Sequence, residues 1–256
     1  MAGLGARSVL VTGANRGIGL ELVRQLLSKP DSPQWLFACS REPDGERGQE
    51  LRNLVSKHPN LVIVKLDATS PTSIKDAAVC VENHLKGSGL NLLINNAGVF
   101  KDVALDAVDV EDMISGYKIN VIGPLLVSQA FLPLLRRAAQ GSSQKGLSCN
   151  RAAIINISST LGSIELVPPS YMNPAVPYRC SKAALNMLTQ CQSVEFKDFG
   201  ILCTIVHPGW VKTEMGGQEA DLTVDESVRG ILDVLSKLSD EHNGAFISWK
   251  GNKMPW

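Results

Sequence analysis

The sequence predicts a doubly wound α/β fold, a seven-stranded parallel sheet flanked by helices on both faces, and three observations carry that expectation. Seven short apolar runs recur along the 256 residues, longer segments of helical period separate them, and the first run ends in a glycine-rich turn. Strands covered on both faces read as continuous apolar runs, and helical crossovers between them impose parallel pairing.

Val9–Thr12 is the first strand, and the helix after it, Gly17–Ser28, turns Ile18, Leu22, Leu26 and Leu27 to one face. Trp35–Cys39, Leu61–Leu66 and Asn91–Asn95 are the next three strands, with helices at Gly48–Lys57 and Ser73–Lys86 between them. A long helix follows over Asp106–Ala139, bent near Gly123-Pro124, where proline removes a backbone donor. Gln140–Asn150 is polar and low in complexity, which predicts a mobile surface loop. Ala152–Ile157, Ile201–Val206 and Ala245–Ser248 complete the strands, alternating with helices over Tyr178–Asp198 and Asp225–Leu238. No repeat or linker interrupts the alternation, so residues 1–256 form a single domain.

Twenty-five basic residues balance 25 acidic ones, so no global field would draw nucleic acid or an anionic membrane. A small neutral partner fits better. The six cysteines (39, 80, 149, 180, 191 and 203) have no C-x-x-C spacing, which predicts reduced thiols, no metal site and a cytoplasmic location. Met1–Arg7 is too short for the apolar region of a signal peptide, and Val121–Leu135, broken by glycine and prolines, reads as a buried helix that falls short of a membrane span.

Directly after the first strand stands Thr12-Gly13-Ala14-Asn15-Arg16-Gly17-Ile18-Gly19. Glycines at this junction allow a tight turn, close approach of backbone to a pyrophosphate, and close packing of helix on strand, so the fold is Rossmann-type. The second strand ends in Ser40-Arg41, where a fold selecting NAD offers a carboxylate. Arg16 and Arg41 could grip a 2′-phosphate, which predicts NADPH, although Glu42 slightly weakens the case. Tyr178 and Lys182 lie at i and i+4 of a helix, and a cation beside a phenol favours phenolate. The pair is a candidate proton-transfer device.

With those motifs the chain resembles the short-chain dehydrogenases/reductases over nearly its whole length. Asn95-Asn96-Ala97-Gly98 resembles the family's N-N-A-G, and Asp67-Ala68 the segment that meets adenine. Asn120 resembles its helical asparagine, Ser159 its catalytic serine, and Tyr178-x-x-x-Lys182 its Y-x-x-x-K. Pro208-Gly209, Val211 and Thr213 resemble the stretch that holds the nicotinamide carboxamide. Within the family the texture of Arg151–Ser159 and of His207–Gly217 is similar to sniffer-type carbonyl reductases, which implies NADPH-dependent reduction of aldehydes, ketones or quinones.

The resemblance implies four catalytic roles. Tyr178 donates the proton and Ser159, rather than its neighbour Ser158, binds the substrate oxygen. Lys182 lowers the tyrosine pKa and bonds the ribose, while Asn120 holds a relaying water unless it merely shapes its helix. Cys180 is expected to be a small buried thiol, His207 to be structural, and Trp210 and Met215 to wall a substrate pocket or to fill the core. Leu166–Pro177, with four prolines, predicts a stiff loop beside the cleft, and the short stretch from Thr213 to Val224 a modest lid over a wide pocket. The same residues would serve an alcohol or hydroxysteroid dehydrogenase, or survive in a non-catalytic NADP-binding regulator. The resemblance also implies pairing through the two long helices, and their Leu125, Leu126, Phe131, Leu185, Met187 and Leu188 are partly surplus to one core, so a homodimer is expected.

Overall fold

The structure, a computed structural model, describes residues 3–168 and 174–256. Seven parallel strands form one sheet in the order β3-β2-β1-β4-β5-β6-β7. They are β1 (Ser8–Val11), β2 (Trp35–Ser40), β3 (Leu61–Lys65), β4 (Leu92–Asn95), β5 (Ala153–Ile157), β6 (Leu202–His207) and β7 (Phe246–Ser248). Every residue of β1, β4 and β5 is buried, as strands covered by helices on both faces require. The chain winds outward from β1 to β3, then returns to place β4 on the other side of β1. That reversal opens a crevice beyond the carboxyl ends of β1 and β4, where open α/β sheets bind ligands.

Two hydrophobic layers enclose the sheet. One joins α1 (Gly17–Ser28), α2 (Gln49–Val55) and α7 (Val224–Leu235) to it; the other joins α3 (Pro71–Leu85) and α5 (Gly123–Gln140). Among the described residues two further α-helices are α4 (Val110–Tyr117) and α6 (Val176–Glu195). The inner face of α6 is polar: Ser181, Lys182, Asn186, Thr189 and Gln192 are all buried. Asn156 of β5 donates to Thr189 Oγ1 at 2.7 Å and Gln192 Oε1 at 3.0 Å, so hydrogen bonds rather than apolar contact fix this helix on the sheet.

Several expectations change. The long helix starts at Val110, not Asp106, because Asp109 caps it by accepting from Asp112 N at 2.8 Å. Its bend is a π turn, Lys118–Ile122, running straight into α5 with Pro124 in the first turn. Counted whole, Val110–Gln140 is long and apolar enough to cross a membrane, so it does not fall short of a span by length and composition; half of its most apolar stretch is buried inside the fold. The segment expected to be a mobile loop is tethered: Leu147 and Cys149 are buried, and Leu147 N donates to Asp240 Oδ2 at 3.1 Å. Cys180 is exposed, not buried, because its helix turns it away from the sheet that holds Lys182. Phe131 and Leu185 are core residues rather than surplus, whereas Met187 is 65% exposed. The centre of the expected stiff loop, residues 169–173, lies outside the described residues.

Candidate active site

The glycine turn is fixed from both sides. Gly13 and Gly17 have φ of +63° and +51°, and a Cβ on Gly13 would stand 2.9 Å from Ala97 Cα. A Cβ on Gly19 would meet Gly13 O at 2.2 Å, so this residue serves the packing of α1 on the turn. Asn96 donates from its side chain to Thr12 O at 3.0 Å and Gly13 O at 3.2 Å. Thr12 Oγ1 in turn accepts from the backbone N–H groups of Asn96 and Ala97, each at 3.0 Å. Arg16 at the head of α1 offers no side-chain cap, which leaves first-turn N–H groups for an anion.

From this turn a cleft of about 740 Å³ runs in two directions. Arg16, Arg41, Arg47 and Asp67 line one end and Tyr178 and Lys182 the other, with Asn15, Ile18, Ala68, Gly98, Pro208 and Thr213 between. Arg16 pairs with Glu214, whose carboxylate also stands 3.5 Å from Arg47. Arg41 is 72% exposed and 4.0 Å from Glu42. Burial works to raise the Asp67 carboxyl, but hydrogen bonds from Thr69 N–H and hydroxyl, helped by Arg41 and Lys118, hold it below the usual range. The cradle, the open helix end and the cations fit a dinucleotide carrying an extra phosphate.

Four side chains expected to do chemistry converge at the other end. A Cβ on Gly162 would lie 2.8 Å from the Lys182 backbone, so only glycine lets the short 3-10 turn Thr160–Gly162 ride on α6. That approach brings Ser159 into a hydrogen bond with Tyr178. Ser158 instead donates to Asn186 Oδ1 at 2.7 Å, which commits it to holding α6. His207 Nδ1 accepts from Thr160 N at 3.3 Å and so anchors the same turn. Lys182 Nζ donates to Ile157 O at 2.8 Å and lies 5.5 Å from the Tyr178 ring centroid. Asn120, in the π turn, donates to Val99 O and Ser181 Oγ and accepts from Val99 N, each at 2.9 Å.

Tyr178 is partly exposed to the cleft, yet protein encloses its hydroxyl enough that burial pushes its pKa up to about 12, against a lowering contribution from Ser159. This corrects the expected depression: in the protein alone, burial outweighs what would lower the phenol. Burial also pushes Lys182 down to about 8, so the cation itself is weakly held.

Not every expected residue lines the cleft. Gly19, Asn120, Ser159, Gly209 and Val211 do not. Gly209 has φ of +87° and lets the chain pass Leu222, and Val211 pairs with Leu222, so both shape the loop after β6. Sequence reasoning missed Arg47, which sits within a run of mixed charges that reads as solvated surface. It also missed Ser181, three residues past Tyr178, and Glu214. Met215 borders the cleft, while Trp210 is 49% exposed and donates to Gly216 O, so neither is core.

Residues 7–222 match the profile of the short chain dehydrogenase family. Among relatives, an uncharacterised oxidoreductase of Schizosaccharomyces pombe is 32% identical over 266 residues, covering 96% of both chains. The C-signal protein of Myxococcus xanthus is 39% identical over 65% of this chain and 93% of its own. Among solved structures, an NADPH-bound carbonyl reductase from chicken fatty liver is 57% identical with a TM-score of 0.94, covering 98% of this chain and 99% of that one. The carbonyl reductase Sniffer of D. melanogaster is 38% identical at the same TM-score of 0.94, over 98% and 100%.

Proposed function

Because this chain belongs to the short-chain dehydrogenase family of oxidoreductases, we propose that it reduces aldehydes, ketones or quinones with NADPH, with Tyr178 as the proton donor. One observation carries the reading: Tyr178, hydrogen-bonded to Ser159 and beside Lys182, closes the cleft that begins at the glycine turn and its arginines.

Bound NADPH would supply the hydride, held by Gly13, Asn15, Gly17, Ile18 and the N–H groups of α1 at its phosphates, with Arg16 and Arg41 near the ribose phosphate and Asp67-Ala68 near adenine. A reductase needs its acid protonated at rest, and a phenol pushed up to about 12 is protonated at any neutral pH. As negative charge develops on a substrate oxygen, Ser159 donates to it and Tyr178 transfers its proton there. The Lys182 ammonium, 5.5 Å from the ring, stabilises the phenolate left behind. Asn120 keeps the π turn and Ser181 in place with its amide, so any relaying water rests on main-chain groups of that turn rather than on this side chain.

The spacing of the six cysteines, with no C-x-x-C pair, supports a reducing, cytoplasmic setting. A homodimer is supported by the exposed Met187 and Val194 on α6 and Val110, Ile114 and Tyr117 on α4; a light-scattering mass of one chain removes it. The main test is NADPH oxidation followed by absorbance with a panel of aldehydes, ketones and quinones. Turnover absent from the whole panel, or retained in Tyr178→Phe, defeats the reading.

A further inference from the structure

A carboxylate sits among the cations of the cofactor cleft. Glu214 pairs with Arg16 of the glycine turn and stands 3.5 Å from Arg47 of the segment after β2, and all three line the cleft. The loop after β6 holds it there. Gly216 N donates to Thr213 Oγ1 at 3.0 Å and Gly217 N to Thr213 O at 2.9 Å, so the turn carrying Glu214 is bonded to itself. The same turn abuts the glycine turn, since a Cβ on Gly17 would lie 3.3 Å from Thr213 Cγ2.

Stability does not account for the carboxylate. With side chains 47% and 62% exposed, the Arg16–Glu214 pair is a solvent-screened surface ion pair that adds little to stability. Its sign is also wrong for a pocket that takes a phosphate: it neutralises part of the charge that Arg16 and Arg47 present and repels an incoming dianion. A site with less net attraction releases its ligand sooner, and release of product limits many enzymes.

We infer that Glu214 is a built-in competitor for the 2′-phosphate, its carboxylate occupying Arg16 and Arg47 and so setting how strongly the cleft prefers a phosphorylated ribose. The inference rests on the reading that the cofactor is NADPH. Glu214 is a specificity residue acting through the two arginines, not a catalytic one.

Calorimetric titration of the ligand-free protein with 2′,5′-ADP and with 5′-AMP tests it, because the two probes differ only in the 2′-phosphate. In Glu214→Gln the affinity ratio of 2′,5′-ADP to 5′-AMP should rise about three- to ten-fold at low salt and the gain should fade as salt screens it. In an Arg47→Gln background the same substitution should gain less. An unchanged or reduced ratio in Glu214→Gln, or a gain that salt and Arg47→Gln leave untouched, overturns the inference. A wild-type protein that binds both probes equally defeats the cofactor reading instead; one that prefers 2′,5′-ADP while Glu214→Gln leaves the ratio alone defeats only the role of Glu214.

Discussion

At one end of the cleft Tyr178 and Lys182, and His207 bonded to the adjoining Thr160 turn, are enclosed enough for burial to move their pKa values, and at the other Arg16, Arg41, Arg47 and Glu214 are 47–72% exposed. The same elementary forces act at both ends with different weight. Where water is excluded, desolvation dominates and one group decides an outcome; where water remains, charges are screened and only their sum matters. The enclosed end should therefore answer to single substitutions with large effects, and the open end with small, salt-dependent ones.

The largest effect belongs to Tyr178. Tyr178→Phe keeps the ring that meets Phe100 edge-on, with centroids 5.0 Å apart, and removes only the proton donor. Loss of a general acid predicts a fall of about a thousand-fold in kcat/KM with little change in the melting temperature. A loss below ten-fold, measured by NADPH oxidation, would show that the enclosed end does not depend on this one group.

His207 gives the next effect, and on stability. Burial pushes it down to about 4, and its Nδ1 must stay unprotonated to accept from Thr160 N. The unfolded chain takes a proton near the ordinary value of 6.5 while the folded one resists until about 4. Stability is therefore full above pH 6.5 and is lost as pH falls toward 4, by about 3 kcal/mol over the window. His207→Gln keeps an acceptor without the titration. Denaturant midpoints at pH 7 and pH 4.5 should diverge strongly in the native protein and much less in the variant; parallel losses would assign the acid sensitivity elsewhere.

What the sequence disclosed follows the same division. The strands were legible because burial on both faces forces unbroken apolar runs, and the glycine turn because Gly13, Gly17 and Gly19 each stand where a Cβ would collide or strain the backbone. Tyr178 and Lys182 were legible because a helix turns their spacing into proximity. The π turn at Lys118–Ile122 was not, since its backbone is set by Asn120 bridging to Val99 and Ser181, contacts 21 and 61 residues away. Nor was the direction of the Tyr178 shift, which depends on how much protein surrounds the hydroxyl. Arg47 and Glu214 escaped notice because a charge beside others of both signs looks like solvated surface until folding gathers three segments at one place.

A smaller effect at the enclosed end concerns Lys182. Burial holds its pKa near 8, so the ammonium that would support a phenolate is lost as pH rises through that value. The kcat/KM for carbonyl reduction should fall about ten-fold per pH unit above 8, if the neutral amine gives no support. Lys182→Arg, whose charge survives to much higher pH, should abolish that limb whatever its absolute rate. A limb that stays near 8 in the arginine variant belongs to another group.

The smallest effect is expected at the open end, from Arg41. Its guanidinium is 72% exposed, shares its surroundings with Glu42, and acts together with Arg16 and Arg47 rather than alone. Arg41→Ala should raise the KM for NADPH by about three- to ten-fold at low salt, leave kcat within two-fold or so, and leave the KM for NADH unmoved. Raising ionic strength should shrink the difference between variant and native protein, because screening already removes what the substitution removes. A hundred-fold loss that persists in high salt would mean that Arg41 is enclosed around the bound phosphate, and the contrast between the two ends of the cleft would then hold only for the protein without its cofactor.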